Sequence, residues 1–122
     1  MIINLNGVEL DFDMTNVDFY EKYMENADDL DVAMNTELTD AEKGDYRKVV
    51  ELFRDRCVAM KGFLDKLFGE GTGETVCGVK DDVEVCLDVY VAMCEGVAHD
   101  AQRLKKKFPG MNRAQRRAEK SK

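Results

Sequence analysis

The side chains with the reactivity for nucleophilic catalysis or soft-metal binding are few: Cys57, Cys77, Cys86, Cys94 and the single histidine, His99. A cysteine nucleophile needs a base held beside it, most often an imidazole. Zinc sites draw their ligands from closely spaced pairs. The chain has no Cys-x-x-Cys, and Cys57 is far in sequence from His99. Cys94 and His99 are neighbours on one predicted helix, and Cys57 would reach His99 only across a helical pair. An enzyme built on either pairing is the weakest of the readings considered. Buried free thiols, no metal, no cofactor and no catalytic residues are the expectation.

Carboxylates are abundant, with pairs at Asp28-Asp29 and Asp81-Asp82 and a set at Asp11, Asp13 and Asp18. With 25 acidic side chains in 122 residues, such neighbours follow from composition and predict solvated faces. The segment Asp28-Asp29-Leu30-Asp31 lacks the residue order of a calcium-binding EF-hand loop, and the glycine-rich stretch GEGTGETVCG matches no phosphate-binding fingerprint.

Charge distribution is the sharper signal. The net charge is −7, yet residues 103–122 hold nine Lys/Arg against Glu119 alone, and the other residues carry 9 basic against 24 acidic side chains. The body would repel a polyanion, whereas the basic end would attract nucleic acid or an acidic protein surface, including another copy of this chain. Aromatic residues, which single-strand binders interleave with their basic ones, are not interleaved here: Phe108 is the one aromatic of residues 103–122. The partner-binding candidates are Arg113, Arg116, Arg117, Lys120 and Lys122. Protein is the expected partner, a homo-oligomer is left open, and nucleic acid is disfavoured.

The elements that position these groups can be read from period and caps. Ile3 and Leu5, then Val8, Leu10 and Phe12, alternate with polar residues around Asn6-Gly7, the signature of a two-residue type I′ hairpin. A lone hairpin is marginal in water, so its apolar face requires a helical cover. Thr15 or Asn16 caps a first helix with Val17, Tyr20, Met24, Ala27 and Leu30 as its apolar series. Thr39 and Glu42 form a capping box opening a long second helix of roughly 28 residues. Its seam, Tyr46, Val50, Phe53, Cys57, Met60, Leu64 and Leu67, is spaced as a heptad, which suits an antiparallel helical pair within one chain or a dimer interface. Gly69, Gly71 and Gly73 end that helix in a loop. Residues 81–92 alternate like a strand, but the helical series Val83, Cys86, Tyr90, Met93, Val97, Ala101 and Leu104 runs longer, so helix is the reading. Lys105 to Lys107 complement its C-terminal dipole, and Pro109-Gly110 stop it. The final twelve residues carry only Met111, Ala114 and Ala118 as apolar side chains, too few for a core, and predict disorder.

Together these predict a mainly α fold: an N-terminal β-hairpin packed on a bundle of about three helices, residues 1–110, followed by a flexible basic tail, residues 111–122. No basic segment and apolar run opens the chain, and no apolar stretch approaches the ~18 residues of a membrane span. With unpaired thiols, this predicts a cytoplasmic protein that does not enter a membrane.

Three stretches, INLNGVELDF, LDKLFGEGTGETVCG and the ending MNRAQRRAEKSK, in this order and chain length, resemble the small tail assembly chaperones of long-tailed bacteriophages and prophages of Gram-positive bacteria. The resemblance implies a non-enzymatic protein of the bacterial host cytoplasm. Such a protein binds the tape measure protein, keeps it soluble and recruits tail tube subunits. It also implies that a longer frameshifted form can exist, with Lys105 to Lys107 as a candidate slippery codon run. The methionines Met24, Met34, Met60 and Met93 would let a client-binding surface re-pack. The competing reading is a nucleic-acid-associated regulatory protein that binds through residues 111–122.

Overall fold

A computed structural model describes residues 1–108. Two strands and five helices follow in the order β1 (Ile2–Leu5), β2 (Val8–Asp11), α1 (Val17–Asn35), α2 (Asp40–Lys43), α3 (Tyr46–Phe68), α4 (Thr72–Cys77) and α5 (Val83–Lys107). The fold is mainly α with an N-terminal antiparallel hairpin on a helical core, as the sequence predicts. The expected tail, 111–122, lies outside the described residues, as do Pro109 and Gly110.

The hairpin forms because Asn6 (φ 54°) and Gly7 (φ 84°) accept the left-handed backbone of a type I′ turn. The register pairs Leu5 with Val8 and Ile3 with Leu10. Ile3, Leu5 and Phe12 then face inward and are buried. A Cβ on Gly96 of α5 would come within 2.8 Å of Ile3 Cδ1, so this glycine gives the hairpin close access to the helix. Asn6 Nδ2 donates to the Val76 carbonyl at 2.8 Å, fastening the turn to α4. Phe12 meets Phe19 of α1 and Phe68 of α3 at ring-centroid distances of 6.0 and 5.0 Å. Tilted and edge-on rings at this spacing add to their area burial.

The helices start where side chains satisfy free N–H groups. Asn16 accepts from Phe19 N–H, and Asp82 accepts from Glu84 and Val85 N–H. The Thr39–Glu42 capping box is present, but the helix it opens is α2, four residues long. The expected long helix is divided at Gly44-Asp45. Asp45 adopts extended backbone and its carboxylate accepts from Arg47 N–H, so a second cap starts α3 as a separate helix. The glycine-rich stretch also differs from expectation: it contains α4. Gly73 is buried there against the backbone of α3, where a Cβ would lie 2.6 Å from Lys61 Cα. Gly73 N–H donates to Asp65 Oδ1 at 2.7 Å. These glycines serve close packing as well as turning. Val76 and Cys77 reach the core from this helix.

Pairwise contacts fix the helix directions. Tyr23 packs on Phe63 while Phe19 packs on Phe68, so α1 and α3 are antiparallel. Tyr90 donates to Asp31 at 2.6 Å, and Leu104 faces the same groove as Tyr20, so α1 and α5 are antiparallel too. Helices α3 and α5 therefore run the same way, with α4 returning the chain between them. On α1 the buried stripe is Phe19, Tyr23, Ala27, Leu30 and Met34. The expected series shares only Ala27 and Leu30 with it, since Val17, Tyr20 and Met24 are exposed. Met34, Met60 and Met93 are buried, which leaves Met24 alone of the four expected surface methionines in solvent. The strand-like run at 81–92 is helix, and α5 ends at Lys107 with its three lysines in the last turn.

Two glycines in this arrangement should respond oppositely to alanine. Gly73→Ala drives a methyl into the α3 backbone and should lower the urea unfolding free energy by about 2–3 kcal/mol. Gly62→Ala, in α3 with open space at the Cβ position, should leave stability unchanged or raise it by up to ~1 kcal/mol. Equal effects at the two positions would contradict the close α3–α4 crossing.

Candidate protein-docking surface

The thiols come together in a way their sequence spacing did not indicate. Cys57 (α3), Cys77 (α4) and Cys86 (α5) are all buried, with the Cys86 thiol close enough to both others to influence their ionisation. Topology, not spacing, converges them: the parallel pairing of α3 and α5 brings Cys57 to Cys86, and α4 inserts Cys77. Burial, and after it the Cys86 thiol, pushes Cys57 up to about 12. Burial pushes Cys86 up to about 11, and raises Cys77 and Cys94 as well. Reactive cysteines need the opposite shift. His99 is exposed near the end of α5 beside Gln102 and Arg103, thirteen residues beyond Cys86, or ~20 Å along the helix axis. The Cys57–His99 approach is therefore not formed. Cys94 sits by Tyr90 and Asp31, away from the imidazole. Among the described residues no group of three or more His, Cys, Asp or Glu side chains, these thiols included, has the arrangement to hold a metal ion.

The acids noted in the sequence have mechanical work. Asp81 accepts from Lys61 Nζ at 3.0 Å and lies 3.6 Å from Arg54. Lys61 also donates to the Val79 and Lys80 carbonyls, clamping the α4–α5 loop to α3. Burial alone would lower its pKa, but the Asp81 carboxylate outweighs burial and the net shift is upward. Asp82 caps α5, and Asp11 pairs with the N-terminal ammonium at 3.1 Å. Asp13 accepts from Thr15, while Asp18, Asp28 and Asp29 are exposed on α1.

The surface with unspent binding capacity is the start of α3. Arg56 reaches the carbonyl of Thr36, the C-cap of α1, at 2.7 Å. The α3 residues before Arg56 extend past that end of α1 for up to ~15 Å. Along this projection the predicted seam changes character. Cys57, Met60, Leu64 and Leu67 are core, while Tyr46, Val50 and Phe53 are 72%, 47% and 41% exposed. The intramolecular reading holds for the second half of the seam only. Arg47, stacked 5.8 Å over the Tyr46 ring, and Arg54 flank the exposed stripe with positive charge. Beside it an open groove of about 320 Å³ is lined by Leu38, Val49, Leu52 and Phe53. Arg56 borders the groove, and its buried Nε has no acceptor among the described residues. An aligned apolar stripe beside an open groove, with a basic rim, has the features of a helix-docking surface. The sequence signal was the heptad spacing; which half stays uncovered depends on where α1 ends. The tail candidates Arg113, Arg116, Arg117, Lys120 and Lys122 lie outside the described residues.

Residues 6–120 match DUF6673, a family of unknown function. The chain belongs to this family. No curated protein and no solved structure matches it. For this DUF6673 member, no described helix is long and apolar enough to cross a membrane.

The raised thiol pKa values have a stability consequence. A thiol is neutral when protonated, and these folded values lie above the ordinary 9.0. Their contribution is therefore complete below about pH 9 and is lost as pH rises through about 11 to 12. The urea midpoint should fall between pH 9 and 11, and Cys86→Ala should flatten that fall. A midpoint independent of pH over this range would contradict burial of the cluster.

Proposed function

We propose that this protein is a non-enzymatic tail assembly chaperone of a long-tailed phage or prophage. It binds a long helical client, the tape measure protein, and recruits tail tube subunits. The observation that carries this reading is the uncovered α3 stripe of Tyr46, Val50 and Phe53. Its spacing matches a partner helix, and three exposed apolar side chains on one projecting face have no use within the described fold. The resemblance of the hairpin, the LDKLFGEGTGETVCG stretch and the NRAQRR ending supplies the client's identity. The acidic body supports solubility of the complex, because copies on one client repel each other at long range. A cytoplasmic site of action in the bacterial host belongs to the same proposal.

Co-expression with the tape measure protein from the same genome tests it. The wild-type chain should keep the client soluble and co-purify with it. Val50→Asp with Phe53→Asp should remain folded, since both side chains are solvent-exposed, and should reduce co-purification at least tenfold. A client that stays insoluble with wild type, or binds the double variant equally well, would overturn the proposal.

A further inference from the structure

A second uncovered apolar surface lies at the opposite end of the bundle. Met14 just before α1, with Val17 and Tyr20 at its start, faces Leu104 in the last turn of α5 and Phe108 just after it across a groove of about 310 Å³. Val17 is 76% exposed, with Tyr20 and Phe108 close to half. The same side of α1 continues with exposed Met24 and, at helical spacing beside it, Glu21, Glu25 and Asp28. Helix α1 carries six carboxylates and one base, Lys22, so the groove opens onto an acidic track.

We propose that residues 109–122 of the same chain cover this surface, with Met111 in the groove and the basic residues beyond it on the carboxylates of α1. Three features select this occupant. The chain leaves its described part at Phe108, itself a wall of the groove, and Met111 is three residues on, within ~10 Å. The fourteen following residues can extend over ~46 Å, more than the ~28 Å of α1, so reach is not limiting. Their composition is complementary: Met111, Ala114 and Ala118 recur at helical spacing, while Arg113, Arg116, Arg117, Lys120 and Lys122 outweigh Glu119. The like charge of Arg103 and Lys105 to Lys107 on the last turns of α5 steers the segment away from α5 and towards α1. The segment thus has a partner within its own molecule, and this inference does not depend on the identity of any client.

Methyl-labelled methionine in the full-length chain tests the contact. At low salt the Met111 methyl should show nuclear Overhauser contacts to the Tyr20 ring and the Met14 methyl, unchanged on tenfold dilution. Arg113→Glu, Arg116→Glu and Arg117→Glu together should abolish those contacts and return the Met111 resonance to its free-chain position. Combining them with Glu21→Arg, Glu25→Arg and Asp28→Arg should restore the contacts. All substituted positions are exposed on α1 or lie beyond Phe108, and an unchanged α1–α3 aromatic pattern checks folding. A free-chain Met111 resonance in the wild-type protein overturns the proposal. Contacts that weaken on dilution assign the groove to a second copy and also overturn it, and contacts insensitive to the charge swap remove its electrostatic basis.

Discussion

A two-stranded hairpin cannot stand in water, and most of this architecture is a response to that constraint. Its inner face, Ile3, Leu5 and Phe12, must be covered on one side only. The cover is assembled from distant parts of the chain: Phe19 from α1, Phe68 from α3, the glycine notch of α5 and the end of α4. The start of α1, the end of α3, the end of α4 and the middle of α5 therefore meet at this site. The start of α3, with Tyr46, Val50 and Phe53 exposed, lies away from it.

A second constraint acts along the helices. For α3 and α5 to run the same way, the chain must return between them within a short connection. Helix α4 and its flanking glycines make that return, with Gly73 pressed to the α3 backbone and Lys61 binding the following loop. The three thiols lie where this return is sealed. Their burial and upward-shifted pKa values mark them as small apolar fillers that complete a tight seam, a common use of free cysteine.

The hairpin and α5 were legible in the sequence because each rests on local chemistry: an Asn-Gly turn flanked by period-two residues, and a helical series outrunning a strand-like one. The first helix was legible as an element but not as a face, because two apolar stripes coexist on it and only tertiary contacts choose Phe19, Tyr23 and Met34 over Val17, Tyr20 and Met24. The break at Gly44-Asp45 was hidden by a good capping box just upstream. Helix α4 was hidden because glycine reads locally as flexibility, whereas Gly73 is required by its distance to another backbone. Of the candidate surface, the residues were legible as part of a seam; their exposure was not, since it depends on the length of α1 relative to α3.

The antiparallel relation of α1 to both of its long neighbours has a spatial consequence. The α3 projection stands beyond the C-terminal end of α1, while Phe108 stands beside its N-terminal end, so the two uncovered surfaces are separated by about the ~28 Å length of that helix. A client helix bound on the α3 projection therefore does not reach the α1–α5 groove. The molecule is in this sense bipolar, with helix α1 as the spacer between the two surfaces.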